Sequence, residues 1–144
     1  TPSIVNGLLF SGAQATGVPE LIVTQDSTSI FEINADIRSN AAFTKTGAGT
    51  VLLSGDNVYT GYTEIQEGTV QVIGGSGIGD TSLVSLAAGR FSELQLLASE
   101  TIGRLGGGSR ATDQDFGRVN VGNFTLTLNQ TAASTFSGLF SGTG

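Results

Sequence analysis

Over short stretches of this chain apolar residues recur at every second position, and signals of helical spacing are nearly absent. In "TVLLSG" Val51 and Leu53 share one face. In "YTEIQEGTVQVIG" Ile65, Val70 and Val72 point one way and Glu64, Gln66 and Gln71 the other. The pattern returns with Val84 and Leu86, with Leu94 and Leu96, and with Val119, Val121, Phe124, Leu126 and Leu128, opposite Asn120, Thr125 and Thr127. Such runs, rich in β-branched and apolar residues and separated by Gly-rich breaks, predict half-buried strands.

The spacing of the breaks selects the architecture. Gly49, Gly68 and Gly89 each follow one short strand and precede another, 19 and 21 residues apart. A sandwich with hairpins every 8 to 12 residues would need tight turn dipeptides, and the one Asn-Gly step is Asn6-Gly7, near the amino terminus. A step of about 20 residues suits one turn of a parallel β-solenoid, each turn pairing with those above and below. About seven rungs then stack at about 4.8 Å each into a rod on the order of 35 Å long. Gly47, Gly49, Gly68, Gly89 and Gly122 are read as its corners, where φ > 0 or close backbone approach is needed. A longer echo is also present: "GVPELIVTQDSTSIF" (17–31) aligns without a gap on "GNFTLTLNQTAASTF" (122–136), so that segments 17–40 and 122–144 are related at an offset of 105. All 144 residues are read as a single β-helix segment, a fragment of a longer array.

The best-formed repeat spans 43–73. Its core, "FTKTGAGTVLLSGDNVYTGYTEIQEGTVQV", resembles the autotransporter-associated β-strand repeat through Thr44, Lys45, Gly47, Gly49, Thr50, Leu52, Ser54, Gly55, Asn57, Tyr59, Thr60, Gly61, Thr63, Ile65, Gly68, Thr69 and Val72. Val58 and Tyr62 depart from the usual Thr and Gly. "IGRLGGG" and the segment from Gly117 onward resemble the stretch that links successive copies, and the two together cover about two thirds of the chain; Thr1 to Val18 match only weakly. The resemblance implies a right-handed parallel β-helix in the passenger of a type V secreted bacterial surface protein, often an adhesin, and brings no known catalytic residues.

Composition narrows the chemistry. The chain has 22 Gly, two Pro and no Cys, Met, Trp or His. Without His it lacks the usual general base and the commonest transition-metal ligand, and without Cys it lacks thiolate and zinc-thiolate chemistry. A net charge of −6, with only six scattered Lys and Arg, argues against nucleic acid and anionic membrane surfaces. No run approaches the roughly 18 apolar residues of a membrane span, so no membrane insertion by this segment is expected.

Candidate sites are few. Asp113 and Asp115, flanked by Arg110 and Arg118, have the spacing of a carboxylate pair for acid/base work or for a Ca²⁺ ligand set; the plainer reading is a solvated loop with local ion pairs. Tyr62 is a candidate stacking platform for a sugar ring, whereas Tyr59 is expected to pack inside. Asp56, Glu64 and Glu67 are candidates for a groove lined with carboxylates. "GGSGIGD" (Gly74 to Asp80) suggests a phosphate cradle but lacks the following Lys and helix. Asn123 and Asn129 begin glycosylation sequons within an ordinary strand pattern. The expected role is a non-catalytic structural segment of an exported stalk or adhesin, outside the cell or on its surface. No cofactor or catalytic residue is expected; a host-cell or glycan surface, and self-association through the solenoid ends, are the expected partners. A fibre or sheath subunit built by end-to-end stacking is the first alternative, and a polysaccharide-cleaving β-helix enzyme the second.

Overall fold

The computed structural model describes residues 3–4, 8–10, 19–110 and 112–144, and among them there is no helix. The strands are β1 (Ser3–Ile4), β2 (Leu8–Phe10), β3 (Glu20–Thr24), β4 (Phe31–Ile33), β5 (Asp36–Arg38), β6 (Ala42–Thr46), β7 (Thr50–Leu53) and β8 (Thr63–Ile65). They continue with β9 (Gly68–Val72), β10 (Leu83–Leu86), β11 (Ser92–Leu96), β12 (Glu100–Ile102), β13 (Arg104–Gly107), β14 (Gly117–Gly122), β15 (Leu126–Leu128) and β16 (Leu139–Gly142).

Every strand pairing is parallel. The first sheet has seven strands in the order β1-β4-β7-β9-β11-β14-β16, and the second has five, β13-β10-β8-β6-β3. Two short pairs, β2-β5 and β12-β15, make a third side, because each follows a strand of the first sheet in the chain. The protein is thus a three-sided parallel β-solenoid. The seven strands of the first sheet correspond to the expected seven rungs, with about six turns between them.

Alternation produces the core. Phe31, Val51, Val70, Leu94, Val119 and Phe140 are consecutive partners up the first sheet, and Ile33, Leu53, Val72 and Leu96 form the column beside them. The inner members are fully buried, at 0 to 2% exposure. Leu128 and Phe140 are 42% and 59% exposed, since β15 and β16 are the last strands of their sheets, and Leu139, 42% exposed, sits in the outward row of Arg118.

Register revises the rung lengths. From Val51 to Val70 the turn takes 19 residues, from Val70 to Leu94 it takes 24, and from Leu94 to Val119 it takes 25. Gly68 pairs with Ser92, so Gly89 stands three residues before the corner position, in an outward ledge. The corner column runs through Gly68, Ser92 and Gly117, with Gly49 bonded below through Thr69. Gly68 requires glycine twice over: its φ is 76°, and a Cβ there would lie 2.4 Å from the carbonyl oxygens of both Gly47 and Gly49. Gly47, Gly89 and Gly122 also have positive φ, whereas Gly49 serves by close approach to the Ser27 carbonyl.

The echo at 105 residues does not mark equivalent rung positions. β3 belongs to the second sheet while β15 belongs to the third side, and Phe31 shares its column with Phe140, not with Phe136. In each segment a glutamine amide bonds within its own loop, Gln25 to the Ser29 carbonyl and Gln130 to the Ala132 carbonyl and the Ser134 hydroxyl. Gly17, the partner of Gly122 in the echo, lies outside the described residues.

Candidate ligand-facing surface

Phe43 and Lys45 share inward columns with Thr63 and Ile65, which turns Ala42 and Thr44 outward. Both are nevertheless buried, Ala42 completely. The cover is a strut. The Tyr62 phenol donates to Glu20 Oε1 at 3.1 Å, and the Thr44 hydroxyl donates to the same oxygen. β3, β6 and β8 are consecutive in the sheet, so this bond spans two steps of about 4.8 Å. The Tyr62 side chain must therefore run along the sheet surface, and the small Ala42 leaves room for it. Tyr62 remains 39% exposed. Partial desolvation, then the hydrogen bond and charge of Glu20 and the charge of Glu64, raise its pKa and keep the phenol protonated as a donor.

Past Glu64 the surface falls into a polar groove of about 510 Å³ lined by Thr46, Glu64, Gln66, Glu67, Ala87, Ala88, Gly89 and Arg90. One wall is the ledge at Ala88–Arg90, formed where the turn lengthens. Arg90 Nη1 pairs with Glu67 Oε2 at 3.1 Å. Glu64 and Glu67 thus line one groove, while Asp56 lies in a separate depression with Ser54, Ile73 and Ser76.

Asp113 and Asp115 occupy the loop between β13 and β14 and are held by different partners. Arg110 pairs with Asp113, whose side chain is 86% exposed. The Thr112 hydroxyl donates to Asp115 Oδ2 at 3.0 Å while accepting the backbone N–H groups of Gln114 and Asp115. Tyr62 does not join them: it precedes β8, whereas the loop follows β13, two strands further along the sheet. Arg118, the other flanking cation, turns away to the buried carboxylate of Glu93 and lies 5.2 Å from the centre of the Phe91 ring.

Several polar groups that periodicity does not single out are buried and satisfied. The Lys45 ammonium donates to the carbonyls of Thr46, Gly47 and Glu67, and burial lowers its pKa to about 8 against the opposing charges of Asp26 and Glu67. On the third side the Asn57 amide accepts the Ile37 N–H at 2.7 Å and donates to the Gly77 carbonyl at 2.7 Å. Glu100 accepts the amides of Gly77 and Ile78, so these two "GGSGIGD" amides, which a phosphate would need, already have an acceptor. Tyr59 is fully buried and hydrogen-bonded to Thr63, which continues to Ser82. Among the described residues there is no group of three or more potential metal ligands, and no helix long and apolar enough to cross a membrane.

Comparison with known proteins gives the repeat an outside reference. Residues 43–72 match the family model of the passenger-associated-transport repeat. The chain is 36% identical over 125 residues to the adhesin BmaC autotransporter of Brucella suis biovar 1 (strain 1330), a match covering 85% of this chain and 4% of that protein. It is 33% identical over 129 residues to the uncharacterized protein YuaQ of Escherichia coli (strain K12), covering 86% of this chain and 9% of that one. The chain therefore spans less than a tenth of the length of either relative. No solved structure matches.

Proposed function

We propose that this chain, whose residues 43–72 match the passenger-associated-transport repeat, is a non-catalytic structural stretch of an autotransporter passenger, carried across the outer membrane and displayed on the bacterial surface as part of an adhesin stalk. The observation that carries this is the parallel stacking of the first sheet from β1 to β16, a wall that extends a rod and stays in step except for a shift between Asn120 and Gly122. The likeness to an adhesin autotransporter supports the surface role. The separation of Asp56 from Glu64 and Glu67, and the distinct partners of Asp113 and Asp115, support a role without catalysis. The test is an epitope placed in the exposed loop at residues 112–115 of the parent protein. Antibody labelling and protease clipping of intact cells are expected; labelling only after lysis would refute the proposal.

A further inference from the structure

We propose that the Tyr62 platform and the adjoining groove form a binding subsite for neutral hexopyranose glycans. The inference rests on the reading of this chain as a surface-displayed passenger segment, and it names what that surface would hold. A pyranose offers an apolar C–H face and a rim of hydroxyls, and the two halves of this surface match those two parts.

The aromatic half is pre-oriented. Tyr62 is tied to Glu20 through its phenol and is 39% exposed, so its ring is held at the surface and partly open to a ligand. A sugar stacking there immobilises little that is not already held. The polar half follows in the chain, since Glu64 stands two residues after Tyr62, on β8, and lines the groove. Hydroxyls need donors and acceptors together, and Thr46, Glu64, Gln66 and Arg90 supply both. The volume lies in the range of small-molecule sites.

Charge decides between ligand classes. Among the described residues Arg90 is the one cation ion-paired with any of Glu20, Glu64 and Glu67, so the carboxylates outnumber it and sialylated and uronate glycans are disfavoured by repulsion. An ammonium-bearing peptide would be drawn to an aromatic ring beside carboxylates. Here Glu20 already accepts from Thr44 and Tyr62, and Glu67 from Arg90, which leaves Glu64 as the one carboxylate of the three without a hydrogen-bond partner among the described residues. A lone acceptor beside amide and guanidinium donors suits a hydroxyl better than a cation.

The test is an NMR titration of the folded chain with maltose, cellobiose and lactose, with sialyllactose and a lysine-rich peptide as competitors for the assignment. Neutral disaccharides are expected to shift the backbone amides of residues 62–67 and 87–90, with affinity on the order of millimolar. Tyr62→Ser should weaken binding at least about fivefold, while Tyr62→Phe, which keeps the ring but frees it from Glu20, should weaken it by less than the serine variant. Arg90→Ala alters an exposed side chain and should weaken binding about threefold without changing the melting temperature, which keeps the test open if the serine variant unfolds. No localised shift with any neutral disaccharide, equal or tighter binding of sialyllactose or the peptide, or unchanged affinity in both Tyr62→Ser and Arg90→Ala would overturn the proposal. A passenger that proved not to be surface-exposed would fail the epitope test instead, whatever the sugars did.

Discussion

The carboxylate of Glu100 accepts the backbone N–H of Ile78, 22 residues earlier, at 3.2 Å, and that of Gly77 at 3.1 Å. Between Asn57 and Glu100 the third side has no strand, and these two side chains supply the hydrogen bonds that a strand would have made.

Glu100 therefore couples the fold to pH. Burial, and secondarily the charge of Asp80, outweigh the two amide bonds and raise its pKa to about 7. The folded state thus holds a proton that the unfolded chain releases above the ordinary carboxylate pKa. This contribution is fully present below about pH 4 and is lost as pH rises through about 7, a change on the order of 3 kcal/mol. Urea-unfolding free energies should fall between pH 5 and 8 more steeply for the wild type than for Glu100→Gln. Parallel profiles would show that Glu100 does not carry the effect.

Asn57→Ala should cost about 2–3 kcal/mol, because it strands the Ile37 N–H and the Gly77 carbonyl in the interior. Asn57→Asp keeps the acceptor and loses the donor, so its midpoint in chemical denaturation is expected to lie between the wild type and the alanine variant.

Two glycines of similar backbone conformation should respond very differently. Gly68→Ala meets two carbonyl oxygens at 2.4 Å, whereas Gly89→Ala, at φ 80°, meets nothing within 4 Å. The first is expected to lose more than about 3 kcal/mol or fail to fold, and the second about 1 kcal/mol from the left-handed backbone alone. Equal losses in thermal melts would contradict the packing of the corner column.

Lys45→Met keeps the length of the side chain but removes the donor to three carbonyls, and should destabilise by roughly 3 kcal/mol or more. Lys45→Arg should not restore stability, since a planar fork does not fit a point-like cage. Recovery by Arg in calorimetry would mean that charge, not shape, is what the corner needs.

Much of the wall was readable from alternation alone. Val51, Leu53, Ile65, Val70, Val72, Val84, Leu86, Leu94 and Leu96 all point inward as their spacing requires. Turn length was less legible: a glycine 21 residues after Gly68 suggests a corner, but pairing selects Ser92, because a small residue with the right neighbours serves there and Gly89 belongs to an extruded ledge. Lys45, Asn57 and Glu100 gave no periodic signal, since each answers to backbone atoms of a corner or of another turn about 20 residues away in sequence. Tyr62 stood out as an unusual residue in its repeat, yet its strut to Glu20 depends on a register between β3, β6 and β8 that no local pattern reveals.

The lengthening of the turns from 19 to 25 residues takes place while the strands on either side stay in step. Ornament and pitch are therefore independent variables in this rod. Residues can be added at the Ala88–Arg90 ledge or between β13 and β14 as one adds pendants to a chain, changing what the surface meets while leaving the links themselves untouched.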